Sequence, residues 1–248
     1  MKIILIILIF IISINNIFSQ KWMYESIEYK SICAQTYLNA KYILDSALKD
    51  KLWTAELSQI NDKVMWDKKP AIIIDLDETV LDNSGFFEML EERDTTYNSE
   101  MWNEWLALSK ASAIVGSVDF IKFAESKGIE IFYITNRLCN PNDSIKCPEQ
   151  DYTIANLKKL GIETDDYHVL LRNEYKNWTG NKQIRRSILI EKYRILMLIG
   201  DDLNDFVDNA IELTYDDKYK LFINHYDYWG SKWFMLPNPK YGSWNKTN

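Results

Sequence analysis

Apolar residues follow two different spacings along most of the chain. Short runs of consecutive apolar residues, typical of buried strands, alternate with segments in which apolar residues recur every three or four positions, as in helices. Strands are predicted at 71–74, 130–135, 167–171, 195–199 and 221–224, and helices at 118–126, 152–160, 182–192 and 206–213. Because strands that alternate with helices form βαβ units, the predicted fold class is α/β, with a Rossmann-like parallel sheet and helices on both faces.

Two more helical regions lie outside this alternation. Residues 21–69 contain no Gly or Pro and repeat apolar residues at helical spacing as far as Val64, which predicts one or two amphipathic helices. Residues 87–113 follow the first strand as a helical insert. Trp102 and Trp105 lie on one face of this insert, either as core residues or as a lid or stacking surface for a flat substrate group.

The N-terminus has the pattern of a secretory signal. Lys2 provides a positive start, the apolar run 3–12 follows, and Ser19 is a small residue before an expected cleavage site at Gln20. The run is shorter than the roughly 20 residues that span a membrane. We therefore predict an exported protein, periplasmic or secreted, with no stable membrane span after cleavage. A retained N-terminal anchor is the alternative.

These patterns divide the chain into four parts. Residues 1–19 form the signal peptide, and residues 20–69 contribute N-terminal helices to a small helical subdomain. Residues 70–225 form the α/β core, which carries the insert 87–113. Residues 226–248 form an aromatic tail. Because a tail this apolar must pack against something, we expect it to lie near the site.

Composition and charge narrow the function further. The 248 residues are enough for one substantial domain, and the net charge of −7 offers no basic patch, which excludes a nucleic acid polymer as partner. The three cysteines are Cys33, Cys139 and Cys147, so at least one thiol has no partner within the chain. Cys139 and Cys147 flank a polar turn. Either a disulfide or two reduced thiols would fit this spacing.

The candidate chemistry begins where the first strand ends. Asp75 and Asp77 follow it directly, with Leu76 between them. Because side chains alternate along an extended chain, both carboxylates face the same way at the carboxyl end of the sheet, where parallel α/β sheets bind ligands. Two such close carboxylates repel each other unless a cation lies between them or one holds a proton. Either state suits phosphoryl transfer, although a solvated acidic turn would explain this motif alone.

Polar residues also follow two later strands. Thr135 and Asn136 end the second predicted strand, where they could bind an oxyanion or cap the next helix. The strand that ends at Ile199 is followed by a second acidic cluster, formed by Asp201, Asp202 and Asp205. Two acidic clusters at one sheet edge require a cation between them. Oxygen ligands with no Cys or His nearby favour Mg²⁺ over zinc.

Lys182 is the cation best suited to bind phosphate at this edge. It begins a predicted helix, where a positive charge is unfavourable against the helix dipole. That position favours a functional role over the alternative of a solvated surface lysine.

The order of these motifs resembles that of a known superfamily. Residues 75–79, Thr135, Lys182 and residues 200–201 are similar in type and order to the four motifs of the haloacid dehalogenase superfamily. More narrowly, the segments 74–83, 132–137, 200–206 and 236–244 resemble the class C non-specific acid phosphatases, a family that includes exported bacterial 5′-nucleotidases. The resemblance covers about residues 22–244.

The resemblance implies a Mg²⁺-dependent acid phosphatase that hydrolyses phosphate monoesters through an aspartyl-phosphate intermediate. Asp75 would be the nucleophile, and Asp77 would first be the acid that protonates the leaving oxygen and then the base that activates water. Thr135, Asn136 and Lys182 would bind the substrate phosphate. Lys176 is the alternative to Lys182, and Asp205 would orient either Lys182 or a metal-bound water. The metal would be held by the carboxylates of Asp75 and Asp201 and by the backbone carbonyl of Asp77.

Two departures from the family pattern affect the expected substrate and metal. Phe86 stands where the family usually has Tyr, and Asp202 stands where Asn or Glu is favoured. Phe86, Trp102 and Tyr241 are expected to form aromatic walls that bind the substrate. Such walls favour small phosphomonoesters with a flat leaving group, namely nucleoside monophosphates and aryl phosphates. A second copy of the same chain, forming a homodimer, is a further possible partner.

Two rival functions are compatible with parts of the pattern. A dehalogenase of the same superfamily also uses an Asp nucleophile, but displacing a halide requires no acid such as Asp77. A non-catalytic binding or storage protein on a phosphatase scaffold would be expected to have lost Asp75 or Asp77, and both are present. Histidine-type acid phosphatases are excluded because neither His168 nor His225 lies in an Arg-His-Gly context.

Overall fold

The computed structural model describes residues 20–62, 64–141 and 146–245. The strands within these residues are β1 (Lys69–Ile74), β2 (Leu81–Asp82), β3 (Ser112–Ala113), β4 (Glu130–Leu138), β5 (Val169–Arg172), β6 (Tyr193–Gly200) and β7 (Trp233–Met235). The helices are α1 (Ile27–Lys49), α2 (Ser84–Glu92), α3 (Ser99–Leu108), α4 (Ser117–Ser126), α5 (Pro148–Lys159), α6 (Gln183–Lys192) and α7 (Tyr215–Asn224). The predicted signal, 1–19, lies outside the described residues, so its cleavage stays a prediction.

Five strands form a parallel sheet in the order β5-β4-β1-β6-β7. β1 lies at the centre, and its last residue, Ile74, is in register with Tyr133 of β4 and Ile199 of β6. The residues that follow these positions therefore meet at one edge of the sheet. The predicted α/β fold class is confirmed.

Alternate side chains of β1 enter two separate cores, one on each face of the sheet. Ile72 and Ile74 belong to the same core as Tyr37 of α1 and Phe120 of α4. Ile73 belongs to the opposite core, with Leu189 of α6. All residues of β6 are buried as well. Burial on both faces explains why these strands appear in the sequence as continuous apolar runs.

The long N-terminal helix α1 covers one face of the sheet. Ser26 caps it by accepting a hydrogen bond from the backbone N–H of Tyr29, and α1 packs on α4, β6 and β7. The preceding residues 20–25 are also helical, and Tyr24 there stacks on Phe87 of α2 with ring centroids 5.9 Å apart. This short segment contacts the insert, whereas the boundary of a separate helical subdomain stays a prediction.

The predicted continuation of helix as far as Val64 is wrong. Residues 57–59 and 65–67 form only single 3-10 turns. The physical reason is that this segment hydrogen-bonds to the sheet: Gln59 Nε2 donates to the backbone carbonyl of Tyr193 over 2.6 Å, and the N–H of Ala55 donates to that of Ile195. These long-range partners outweigh the local helical spacing.

The insert consists of α2 and α3, and a short antiparallel pair closes its base. β2 pairs with β3 through Leu81 and Ala113, so the segment departs from and returns to the core at one place. Trp105 is 6% exposed, and its indole N–H donates to Asn83 Oδ1 over 2.9 Å. Trp105 is therefore a core residue, whereas Trp102 lines the cleft described below.

Two predicted elements near the C-terminus are wrong. The helix predicted at 206–213 is replaced by 3-10 turns at Leu203–Asp205 and Ala210–Glu212, because Asn209 adopts a left-handed backbone conformation with φ of 51°. The strand predicted at 221–224 is the end of α7.

The apolar residues 221–224 form a helix because the segment that they end has an N-terminal cap. Thr214 caps α7 by accepting a hydrogen bond from the N–H of Asp217 over 3.2 Å, and acidic residues occupy the first turn. Both features stabilise a helix. The last strand of the sheet is instead β7, in the aromatic tail, where Trp233 is fully buried.

A disulfide joins Cys139, just after β4, to Cys147, at the start of α5, with Cα atoms 5.0 Å apart. The structure thus resolves the alternative left open by the spacing of the cysteines. Cys33 is a buried free thiol in α1. Among the described residues, no helix is both long and apolar enough to cross a membrane.

Candidate active site

The site lies at the carboxyl edge of the sheet, beyond β1, β4 and β6. The N–H of Asp75 still pairs with the carbonyl of Ile199 over 2.9 Å, so Asp75 is held as a continuation of the central strand. The chain then turns sharply, and the Leu76 carbonyl accepts from three following N–H groups. Glu78 adopts a left-handed conformation in this turn, with φ of 56°. A rigid turn beside a rigid strand fixes the position of the Asp75 carboxylate.

Three carboxylates converge beside this turn. Oxygen atoms of Asp75, Asp201 and Asp205 all lie within 4.8 Å of one another. The Thr79 hydroxyl lies 3.2 Å from Asp75 Oδ2 and 3.4 Å from Asp201 Oδ1. Burial raises the pKa of Asp201 well above its ordinary value, and the charge of Asp75 raises it further. Three acids at this distance, of which Asp75 and Asp205 are buried, need positive charge to remain ionised together.

Lys182 supplies part of that charge. It is 5% exposed, and its ammonium contacts the carboxylates of both Asp75 and Asp205. Burial alone would lower the pKa of Lys182, but Asp205 and Asp75 outweigh it and the pKa is raised. Burial raises the pKa of Asp205 to about 7, although the Lys182 ammonium opposes the shift. One lysine cannot balance the charge of three carboxylates, so the cluster favours binding of a further cation. Carboxylate oxygens are suitable ligands for a hard divalent ion.

Gly200 is required for the position of Asp205. A Cβ at Gly200 would overlap the Cβ and carboxylate of Asp205, which fold back against the backbone of this residue. The N–H of Asp202 donates to Asp205 Oδ2 over 3.0 Å, and Asp202 Oδ1 accepts from the N–H of Asn204. This capping arrangement turns the chain so that Asp201 and Asp205 face the same space.

The second acid of the opening motif has a different environment. Asp77 forms a two-pronged ion pair with Arg137, in which Nη2 lies 2.7 Å from Oδ1 and Nε lies 3.1 Å from Oδ2. Arg137 is 3% exposed, and its Nη1 donates to Thr153 Oγ1 over 3.0 Å. Asn83 Nδ2 also donates to Asp77 Oδ1, over 2.9 Å. Arg137 and Asn83 therefore hold the Asp77 carboxylate in one orientation, and it is not one of the three clustered acids.

Arg137 follows Thr135 and Asn136 in the sequence, and its ion pair with Asp77 was not predicted from the sequence. Arg137 could have been identified from the alternation of side chains along a strand. Thr135 and Arg137 are two positions apart on β4, which is longer than predicted, so both side chains face Asp77. The Thr135 hydroxyl lies 3.5 Å from Asp77 Oδ2. Asn136 lines the cleft, but its amide is already bonded, donating to the carbonyl of Gly180 over 3.0 Å and accepting from Arg185 over 2.7 Å.

A cleft of about 580 Å³ opens above these residues. This volume is in the usual range for small-molecule sites. One side of the cleft is acidic, and the other is aromatic. The aromatic side is formed by Phe86, Phe87, Tyr97, Trp102 and Tyr241.

The predicted wall residues differ in how they face this space. Phe86 is 1% exposed and packs edge-on against Trp102, with ring centroids 4.9 Å apart. Tyr241 is 41% exposed, and its hydroxyl donates to the Glu78 carboxylate. Burial, followed by the charge of Asp77, raises the pKa of Glu78 well above its ordinary value. Trp102 and Tyr241 therefore offer more accessible surface to a ligand than Phe86.

Lys240 is a cleft residue that sequence reasoning missed. Its ammonium lies over the ring of Phe87 and donates to Gln20 Oε1 over 3.1 Å. Burial lowers the pKa of Lys240 to about 8, although Glu78 and Glu91 oppose the shift. In the sequence, only its position next to Tyr241 in the tail indicated that Lys240 would lie in the cleft.

A family model decides the classification. The model that describes subfamily IIIB of the HAD superfamily, the acid phosphatases, matches residues 12–244. The chain belongs to this acid phosphatase family. The family predicted from the sequence motifs is therefore confirmed.

Solved structures agree with the classification. The class C acid phosphatase from Bacillus anthracis is 31% identical to this chain, with a TM-score of 0.73 over 92% of this chain and 86% of that one. A second structure of the class C acid phosphatase from Bacillus anthracis, with tungstate bound, gives a TM-score of 0.74 at the same identity.

Curated relatives are more distant. A stem 31 kDa glycoprotein of Glycine max is 26% identical over 178 residues, which are 68% of this chain and 58% of the relative. A stem 28 kDa glycoprotein of Glycine max is 24% identical over 178 residues, covering 70% of this chain and 60% of the relative. The chain thus spans less than two thirds of the length of these relatives, and their names state no activity.

Proposed function

We propose that this acid phosphatase family member is a Mg²⁺-dependent phosphomonoesterase that acts on small molecules through an aspartyl-phosphate at Asp75. One observation carries the proposal. The Asp75 carboxylate is fixed at the end of the central strand, in contact with the Lys182 ammonium and within 4.8 Å of oxygens of Asp201 and Asp205. A buried carboxylate held beside a cation and a metal-binding donor set is the arrangement that nucleophilic phosphoryl transfer requires.

The two acids of the opening motif would share the reaction. First, an Asp75 oxygen attacks phosphorus, the bond to the leaving oxygen breaks, and Asp77 transfers its proton to that oxygen. Asp77 then takes a proton from water, the water oxygen attacks phosphorus, and the bond to Asp75 breaks. Inorganic phosphate and the free Asp75 carboxylate result. Lys182 would offset the negative charge on the phosphate throughout, and the Thr135 hydroxyl would bind one of its oxygens.

The metal would be held by Asp75, Asp201 and the backbone carbonyl of Asp77, with Asp205 as a further neighbour of the cluster. When bound, Mg²⁺ would neutralise the charge of the phosphate and orient it toward Asp75. The short distance between the Asp75 and Asp201 carboxylates supports their assignment as metal ligands. Asp77 would contribute its backbone only, because its carboxylate is engaged by Arg137.

Removal of the metal should abolish activity. Exhaustive treatment with EDTA is expected to stop hydrolysis of p-nitrophenyl phosphate, and Mg²⁺ should restore it. Asp201→Ala should raise the Mg²⁺ concentration required for half-maximal rate. Asp202→Asn is the matched control, because Asp202 lies outside the three-acid cluster, and its effect on that concentration should be mild. Full activity after chelation would contradict the metal assignment. Absence of any hydrolysis with Mg²⁺ present would favour a non-catalytic binding protein.

The aromatic side of the cleft supports a preference for nucleoside monophosphates and aryl phosphates over glycerol phosphate. Stacking of a base on an aromatic side chain contributes about 1–3 kcal/mol. Tyr241→Ala, or Trp102→Ala as the second candidate, is therefore expected to raise KM for a nucleoside monophosphate ~5–100-fold and to leave KM for glycerol phosphate nearly unchanged.

Tyr241→Phe separates the ring from the hydroxyl. It keeps the stacking surface and removes the hydrogen bond to Glu78. If stacking matters, Tyr241→Phe should keep the ratio of the two KM values close to that of the unmodified protein. Equal weakening of both substrates by Tyr241→Ala and Trp102→Ala, or a lowered Tm alone, would show that these rings serve packing.

A further inference from the structure

Asn238, in the C-terminal tail, contacts the acidic cluster directly. It is 8% exposed, and its Nδ2 donates to Asp201 Oδ2 over 2.6 Å. The other oxygen of that carboxylate, Oδ1, lies 3.4 Å from the Thr79 hydroxyl. A side-chain amide nitrogen is only a donor, so it orients the Asp201 carboxylate without competing for a cation.

The other end of the same amide shapes the tail. Asn238 Oδ1 accepts from the backbone N–H of Lys240 over 2.9 Å and from that of Tyr241 over 3.2 Å. This is the local turn that Asn side chains favour. The turn places Lys240 and Tyr241 on the wall of the cleft. One side chain thus bonds an acid of the cluster at one end and forms the substrate-facing turn at the other.

Further contacts tie the tail to both acidic loops. The N–H of Ser243 donates to Asp202 Oδ2, and a Cβ at Gly242 would lie 2.6 Å from the same oxygen. The Tyr241 hydroxyl donates to Glu78, beside the opening motif. The tail therefore rests on the loop after β6 and on the turn after β1, which are the two segments that carry the clustered acids.

We propose that Asn238 is a positioning residue that couples Mg²⁺ occupancy of the acidic cluster to docking of the tail that carries Lys240 and Tyr241. The inference rests on the proposed metal site and deepens it. Without a cation, Lys182 offsets only part of the repulsion among Asp75, Asp201 and Asp205, and this repulsion opposes the position of Asp201 in which it accepts from the Asn238 amide. A bound cation would remove that repulsion and favour the position in which Asp201 meets the Asn238 amide. Because coupling between two equilibria is reciprocal, a docked tail also tightens metal binding.

Hydrogen exchange of the full chain, with and without Mg²⁺ as the only added ligand, measures this coupling. Mg²⁺ is expected to slow exchange in residues 200–205 and also in residues 238–244, the latter by ~5–150-fold, the usual range for coupled sites. In Asn238→Ala the loop 200–205 should still respond to saturating Mg²⁺, whereas the tail should not. Calorimetric titration should show a Kd for Mg²⁺ raised ~10–100-fold, as for other residues that orient a metal ligand.

Two variants separate coupling from general loosening of the tail. Asn238→Ser keeps an oxygen that can accept from the turn but is too short to reach Asp201, so it should also lose the Mg²⁺ response of the tail. Lys218→Met is the matched control. It removes the 2.7 Å bond from Lys218 Nζ to the Ser243 carbonyl without touching Asp201. Its tail should exchange faster overall but still respond to Mg²⁺.

The outcomes distinguish this inference from the proposed function. If Mg²⁺ changes neither region and gives no heat of binding, the metal site itself is wrong. If Mg²⁺ protects residues 200–205 but never the tail, the coupling is overturned and the metal site stands. A tail response that persists in Asn238→Ala and Asn238→Ser would likewise overturn the role of Asn238.

Discussion

Asp75→Asn is expected to lower the rate of phosphate release by a factor on the order of 10⁴ or more, the scale seen when a nucleophile is removed. An amide oxygen is a poor nucleophile and cannot form the acyl phosphate. The decisive measurement is rapid acid quenching with ³²P-labelled substrate. The unmodified protein should carry acid-stable label during turnover, and the variant should carry none.

The substitution is nearly isosteric, so the fold should survive. Lys182 keeps its contact with Asp205, and the loss of one of three clustered negative charges relieves repulsion. An unchanged or higher Tm is therefore expected. Asp82→Asn is a matched control: Asp82 lies close in sequence, but its carboxylate accepts only from the N–H of Ser84 among the described bonds. Its rate should stay within a few-fold. Label retained in Asp75→Asn would show that another group attacks.

Asp77→Asn should produce the second large loss, and the loss should depend on the leaving group. A general acid contributes roughly 10²–10⁴-fold. An alkyl oxygen needs protonation to leave, whereas nitrophenolate leaves readily without it. Hydrolysis of an alkyl phosphate should therefore fall much further than hydrolysis of p-nitrophenyl phosphate. Comparing kcat for both substrates in the same preparation measures the difference.

The control for Asp77→Asn is Thr153→Val. It removes the hydroxyl that accepts from Arg137 Nη1 and leaves the Asp77 carboxylate in place. The ratio of the two rates should stay near that of the unmodified protein, even if both rates fall. Equal losses on both substrates in Asp77→Asn would contradict its role as the acid.

The central part of the fold was predictable because its signals are local. β1 and β6 are buried on both faces, so their apolar runs identify them, and the acids after each run mark the sheet edge. The errors arose where long-range partners decide the structure. Residues 221–224 have the composition of a strand but lie in a capped helix, and the true edge strand, Trp233–Met235, pairs with β6 from within an irregular aromatic tail.

The candidate site divides in the same way. The sequence identified Asp75, Asp201 and Lys182, and the structure brings all three together, although their roles stay predictions. Arg137 and Asn238 were not assigned their partners, because those lie 60 and 37 residues away in the chain. No local spacing encodes an ion pair or an amide contact of that range. Such contacts form only when the folded chain brings these residues together at the edge of the sheet.

The C-terminal tail determines when the cleft can be completed during synthesis. Tyr241 contacts Glu78 across 163 residues of the chain, and Asn238, which follows β7, contacts Asp201 across 37 residues. Domains form progressively while the ribosome extends the chain from its N-terminus. A nascent chain that already contains every acid of the cluster still lacks one wall of the cleft. The wall of the cleft that the tail forms can therefore be added only after residues 238–244 have been translated, later than every acid of the cluster.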